Sequence, residues 1–227
     1  MENKDYILII KHKVEERPGI IEQILKEENL NYSIVDFEKG DKLPKDFENM
    51  KNVISLGGPM NVYEVEKYKF LKEEEKFIKE IEKYNIPFLG ICLGSQILAK
   101  IFGAKVNLNQ CNEIGFYDVE LTEYGEKDKI FNGICKNFSV FQYHSDCFEI
   151  PQKGILIVKG KDCYINQGIK VGENLYGFQF HIEIDEMLLN CFEVINFDTE
   201  RLKILKQIGR KIIKIFLSLN KKEDKND

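Results

Sequence analysis

Gly90-Ile91-Cys92-Leu93-Gly94-Ser95-Gln96 follows an apolar run, Ile86-Pro87-Phe88-Leu89, and precedes apolar residues at helical spacing over residues 97–102. The change of pattern predicts a strand that turns sharply into a helix, with Cys92 at the turn. Glycines two residues to either side of the cysteine leave room where side chains would crowd so tight a turn. Such an elbow lifts the thiol clear of the sheet. The free N–H groups and partial positive charge of the following helix's first turn favour thiolate. Taken alone, the pattern admits two readings: an activated nucleophile, or a cysteine serving as a small buried hydrophobe.

Upstream, residues 6–10 form a wholly apolar run of the kind buried on both faces of a parallel sheet. Pro18-Gly19 opens a segment with Ile20, Ile21, Ile24 and Leu25 at helical spacing, reaching Glu28 and ended by Asn29. Residues 33–37 and 53–56 supply a second and a third strand, separated by a charged stretch broken at Pro44. A helix between the first two strands implies a parallel βα arrangement. Gly57-Gly58-Pro59-Met60 follows the third strand, at the edge where open α/β proteins place ligands. It is either a simple turn or a set of backbone N–H groups able to stabilise an oxyanion. Residues 68–84 carry Phe70, Leu71, Phe77, Ile78 and Ile81 among many Glu and Lys residues, as an amphipathic helix does. The charge run Lys72-Glu73-Glu74-Glu75-Lys76 reads as its solvated face. Residues 86–91 form the fourth strand and end at the elbow.

Beyond Gly103 the period changes. Residues 105–108, 115–121, 138–143, 155–159, 164–170 and 175–180 are short aromatic and β-branched segments separated by glycine, asparagine and charged turns. They predict an antiparallel or mixed sheet region with little helix. Residues 199–219 read as a C-terminal amphipathic helix and residues 221–227 as a charged tail. The expected fold class is α/β: an open, mostly parallel sheet flanked by helices, with a small additional antiparallel or mixed sheet, in a single domain over residues 1–220.

Composition excludes several classes of function. The 33 basic and 38 acidic residues are interleaved, the formal charge is -5, and no Arg/Lys stripe carries aromatic partners, so no nucleic-acid footprint is present. Six cysteines are too sparse for a disulfide scaffold in a chain of 227 residues and fit a reducing compartment. The N-terminal residues lack the apolar stretch of a signal peptide. No run approaches the about eighteen apolar residues of a membrane span. The expected location is cytoplasmic, with no membrane partner.

Only three histidines occur. His12 follows the first strand, at the sheet edge where Cys92 is expected. His144 sits in Tyr143-His144-Ser145-Asp146, and His181 in Phe178-Gln179-Phe180-His181-Ile182-Glu183. In extended backbone the side chains of His181 and Glu183 share one side. The carboxylate can then orient the imidazole while the other ring nitrogen faces a thiol. A metal centre is disfavoured, because the histidines lack close ligand spacing and Cys92 has no second cysteine within four residues.

Gly90 to Gln96, Gly57-Gly58-Pro59 and Phe178 to Glu183 together resemble three separated motifs of the class I glutamine amidotransferases, in the same order and with the same wide separation. Glu113-Ile114-Gly115 and Tyr143-His144-Ser145-Asp146 match further blocks, so the resemblance covers residues 6–183. It points to a stand-alone, GMP-synthase-like glutaminase domain with a flavodoxin-like architecture. Carried over, it makes Cys92 the nucleophile, His181 the acid/base and Glu183 the orienting carboxylate. It also implies an oxyanion hole from the backbone N–H groups of Gly58 and Leu93. Gln96 and Gln167 become substrate contacts, and His144 a support for the loops around the site. The family usually has proline where this chain has Ile182, which loosens the backbone between His181 and Glu183 but removes neither reacting group.

The implied reaction hydrolyses glutamine through a cysteinyl thioester, with no cofactor and no metal. Residues 105–227 hold no phosphate loop of the G-x-x-x-x-G-K form, so an ammonia acceptor would belong to a separate synthase subunit. The same thiol chemistry also serves a γ-glutamyl peptidase acting on small γ-glutamyl amides. A noncatalytic regulatory subunit that kept the fold is a third reading; retention of Cys92, His181 and Glu183 together argues against it.

Overall fold

The computed structural model describes residues 5–219, so the charged segment 221–227 lies outside the described residues. The first half alternates as the sequence predicts: β1 (Tyr6–Lys11), α1 (Ile20–Glu27), β2 (Tyr32–Asp36), β3 (Met50–Ser55), α2 (Phe70–Lys83), β4 (Phe88–Ile91) and α3 (Leu93–Ile101). The second half runs β5 (Val106–Leu121), α4 (Glu123–Lys127), β6 (Asn137–Phe148), β7 (Gly154–Gly160), β8 (Asn166–Val171), β9 (Leu175–Phe178), α5 (Glu186–Cys191) and α6 (Thr199–Ser218).

These strands join in one mixed sheet of order β2-β1-β3-β4-β9-β8-β7-β5-β6. Pairing is parallel from β2 to β9 and antiparallel from there to β6. The antiparallel region is therefore continuous with the parallel sheet rather than a separate layer. Strand β9 is the seam: it runs parallel to β4 and antiparallel to β8. Strand β5 unites the two segments expected at 105–108 and 115–121, its pairing with β6 passing through a register shift between Leu108 and Glu113.

Alternation along β1 shows why the sheet carries helices on both faces. Ile7 and Ile9 pack with Ile21 and Ile24 of α1 and with Ile212 and Phe216 of α6, whereas Leu8 and Ile10 pack with Leu71 and Ile78 of α2 and with Ile97 of α3. Each side chain of this kind, fully buried, stabilises the fold by about 1.5–3 kcal/mol.

The short helices α4 and α5 lie outside the sequence-based prediction. Each is nucleated by a capping side chain: Thr122 Oγ1 accepts from the N–H of Gly125, and an Asp185 oxygen accepts from the N–H of Leu188. Cys111 and Cys163 form a disulfide, whereas Cys92, Cys135, Cys147 and Cys191 are free. That single bridge is not a scaffold, and cysteine spacing gave no sign of it. Among the described residues no helix is long and apolar enough to cross a membrane.

Four parallel strands deliver the groups of interest to one edge. His12 follows β1, Gly57 and Gly58 follow β3, Cys92 follows β4, and His181 lies just beyond β9. This is the carboxyl edge, where open α/β sheets place their sites.

Candidate active site

Cys92 has φ 50° and ψ -105°, a conformation that side chains other than glycine rarely adopt. Two close approaches hold it there. A Cβ on Gly90 would lie 2.5 Å from the carbonyl group of Gly94, and one on Gly94 would lie 2.5 Å from the backbone oxygen of Ser55. The elbow thus needs both glycines because the end of β4, the start of α3 and the end of β3 touch through backbone. The Cys92 N–H donates to Phe178 O at 2.8 Å, which ties the nucleophile position to β9 and so to the histidine that follows it.

After β9 the chain leaves the ladder and returns at His181, whose N–H donates to Phe141 O at 2.8 Å. The imidazole Nδ1 stands 2.7 Å from Glu183 Oε1, as extended spacing required, and both residues are buried at 1% exposure each. Nε2 is buried with no hydrogen-bond partner among the described residues. Burial acts against charge on this ring, but Glu183 and the Cys92 sulfur outweigh it and hold the His181 pKa well above its ordinary value. The ring and the thiol converge on Gly57: a Cβ there would lie 3.1 Å from His181 Cε1 and 3.6 Å from Cys92 Cβ.

Ile182, where the resemblance implies proline, lies in a segment held by close backbone contacts. The backbone oxygen of Glu183 accepts from the N–H of Ile20 at 2.9 Å. A Cβ on Gly19 would meet that same oxygen, and one on Gly209 would lie 2.2 Å from Ile182 O. Close contact with α1 and α6 therefore fixes the segment that a proline ring would otherwise stiffen.

A cavity of about 270 Å³ opens over these groups, lined by Gly58, Cys92, Gln96, His144, Asp146 and His181 among others. Gln96 Nε2 donates to Asp146 O at 3.3 Å and to Gln179 Oε1 at 3.2 Å. Gln179 Nε2 stands 3.7 Å from Cys92 Sγ. His144 reaches Asp146 O through Nδ1 at 2.9 Å and Glu113 Oε2 through Nε2 at 3.0 Å. Gln167 does not line the cavity. It is fully buried behind it, donating to Glu113 Oε2 at 2.9 Å and accepting from Gln142 Nε2 at 2.7 Å. The substrate contact expected of Gln167 is thus replaced by an indirect place: Gln167 holds Glu113, and Glu113 holds His144.

Two carboxylates in the cavity wall were missed as site residues. Asp146 is 4% exposed, and neither of its oxygens has a hydrogen-bond partner among the described residues. Burial pushes its carboxyl up, against the Tyr63 hydroxyl and His144, which hold it down. Glu16 lies on the other side of the nucleophile, where a Cβ on Gly57 would come within 3.1 Å of its Oε2. Burial raises the Glu16 carboxyl as well, with His181 opposing. The signal for Asp146 was its place two residues after His144; Glu16, in an irregular loop, left none. Glu74 is a third departure. In the run read as a solvated helix face it is fully buried, bonded to His12 and Ser55.

The chain is similar to several known proteins. The family model described as glutamine amidotransferase class-I matches residues 19–188. A glutamine amidotransferase of known structure from Thermotoga maritima is 35% identical, with a TM-score of 0.86 over 95% of this chain and 99% of that one. One of the subunits of the glutamine-hydrolyzing GMP synthase of Pyrococcus abyssi is 33% identical over 111 residues, 48% of this chain and 57% of that protein. The glutamine-hydrolyzing GMP synthase of Clostridium kluyveri is 29% identical over 206 residues, 83% of this chain but 38% of that protein. The chain thus spans little more than half of one curated relative and well under half of the other. With a strained cysteine elbow, a paired His181 and Glu183, and a match over most of its length, the chain belongs to the class I glutamine amidotransferase family.

Proposed function

We propose that the protein hydrolyses the side-chain amide of glutamine to glutamate and ammonia, and that the ammonia is consumed by a separate synthase protein, since the Pyrococcus relative is itself one part of a multi-chain GMP synthase. One observation carries this reading. Cys92, His181 and Asp146 line a single cavity, with Glu183 Oε1 2.7 Å from the His181 ring, which supports a nucleophile and a carboxylate anchor for an α-ammonium group acting on one ligand.

In the reaction, Cys92 thiolate attacks the amide carbon, and the N–H groups of Gly58 and Leu93 receive the oxygen as it gains charge. The tetrahedral adduct collapses with cleavage of the C–N bond, and His181 gives its proton to the leaving nitrogen. Water then attacks the thioester, passing a proton to His181, and glutamate leaves as the C–S bond breaks. Glu183 keeps the imidazolium oriented and stabilises it throughout. Gln96 acts at the cavity wall by holding the Asp146 backbone, and His144 supports the same end of β6.

Measuring glutamate release from free glutamine beside release from γ-glutamyl dipeptides tests the substrate assignment, and Asp146→Asn sharpens it. Glutamine is expected to be the better substrate, with KM in the variant raised about 10- to 100-fold by the loss of a charge-assisted hydrogen bond. The variant should also be the more stable protein. A carboxyl whose pKa is raised by folding contributes stability below its unfolded value, and that contribution is lost as pH rises through the folded value. At neutral pH the buried carboxylate is therefore a cost that asparagine removes. Preferential turnover of the dipeptides would assign the protein to the γ-glutamyl peptidases. An unchanged KM would remove Asp146 from the binding site.

A further inference from the structure

The reaction above leaves a buried His–Glu pair unused. His12 is 1% exposed and Glu74 fully buried. His12 Nε2 stands 2.7 Å from Glu74 Oε2, and its Nδ1 stands 2.8 Å from the carbonyl oxygen of Gly57. Ser55 Oγ donates to the other Glu74 oxygen at 2.6 Å. The rings of Phe37 and Phe70 enclose the imidazole, each with its centroid 5.9 Å away. A carbonyl oxygen only accepts, so Nδ1 carries a proton. Burial opposes charge on the ring, but Glu74 and the Gly57 carbonyl prevail, with Glu16 acting in the same direction, and the His12 pKa lies above its ordinary value.

The carbonyl that His12 holds belongs to the same peptide unit as the Gly58 N–H. That unit is planar and trans, so its C=O and N–H point in opposite directions. Fixing the carbonyl on His12 turns the N–H away from His12, and Gly58 lines the catalytic cavity. Gly58 is also wedged in place: a Cβ there would lie 2.8 Å from Leu93 Cδ2 and 3.0 Å from His12 Cβ. A peptide between two glycines has the least intrinsic hold on its own orientation, which gives an external tether its importance.

We propose that His12 and Glu74 are positioning residues for the oxyanion hole, locking the Gly57–Gly58 peptide so that its N–H faces the developing oxyanion and polarising it into a stronger donor. The inference rests on the amidotransferase reading and on Gly58 as one of the two donors. Two of the protein's His–Glu pairs then have different duties: His181 and Glu183 manage protons at the thiol, and His12 and Glu74 manage the direction of a backbone dipole.

The test separates two reactions of the same thiol. Acylation of Cys92 by L-glutamic acid γ-(4-nitroanilide) passes through an oxyanion, whereas alkylation by iodoacetamide does not. In the full chain, His12→Leu is expected to slow acylation roughly 100-fold, the lower end of what losing an oxyanion donor costs, and to leave alkylation unchanged. His12→Asn, whose side-chain N–H can take the place of Nδ1, is expected to recover much of the loss, and Glu74→Gln to fall between. Equal slowing of both reactions would overturn the proposal by assigning the pair to the thiolate or to the fold. Unchanged acylation in His12→Leu, with wild-type Cys92 reacting normally, would overturn it alone. A wild-type protein whose Cys92 is neither acylated nor alkylated would overturn the amidotransferase reading and this proposal with it. If His12→Leu does not fold, acylation of Glu74→Gln at the wild-type rate overturns the proposal.

Discussion

Replacing Cys92 with alanine is expected to lower glutamine turnover on the order of 10⁴-fold or more, to the level that binding and oxyanion stabilisation sustain without a nucleophile. The expectation follows from placement as well as from residue type. Cys135 and Cys191 are exposed and do not line the cavity, whereas Cys92 sits between His181 and Gln179 in its wall. Incubating wild-type protein with a glutamine-analogue electrophile and mapping the adduct by peptide mass should place the label on Cys92, and Cys92→Ala should take up none. Labelling of another cysteine, or turnover that survives the substitution, would reject the assignment. The same position offers a measure of stored strain. With φ at 50°, Cys92→Gly should be about 1 kcal/mol more stable than Cys92→Ala, read from urea midpoints, because glycine alone adopts that conformation freely.

Gly90→Ala is expected to destabilise the protein by about 3 kcal/mol, the upper end for overpacking, because the new methyl group meets backbone and not a side chain that can move. Its nearest neighbours would be the carbonyl carbon and oxygen of Gly94 at 2.5 Å, and the nitrogen of Ser95 at 2.7 Å. Relief would require α3 to slide away from β4, and α3 carries Leu93, Ile97 and Leu98, all buried in the core on that face. Gly103→Ala is the control. It has φ at 90° but open space around it, so only the backbone conformation is penalised, and the cost should be near ~1 kcal/mol. Urea unfolding of the two variants against wild type measures the difference. A Gly90→Ala protein as stable as Gly103→Ala would mean that the elbow is not held by contact between strand and helix.

The sequence by itself determined the parts of this protein that depend on neighbours along the chain. Alternation and apolar runs placed β1 to β4, helical spacing placed α1, α2 and α6, and the glycines around Cys92 marked the elbow, because each of these signals spans a few residues. The spacing of His181 and Glu183 likewise encoded their contact, since extended backbone puts alternate side chains on one side. Where the period was short or broken, the reading lost resolution. Helices α4 and α5 are too short to display a period, and the polar centre of β5 looked like a gap because a register shift interrupts alternation without ending the strand. Only the tertiary structure decided which charged groups lost their water. Glu74 reads as one more acid in a solvated run, yet α2 lies against β1 and β3 so that this carboxylate meets His12 and Ser55. Asp146, Glu16 and Gln167 differ in the same way, the first two brought to the cavity wall and the third drawn behind it by strands distant in sequence. The disulfide between Cys111 and Cys163 joins residues 52 apart, one within β5 and one in the connection between β7 and β8. Desolvation and partner choice depend on what arrives from the rest of the chain, and local spacing carries no record of it.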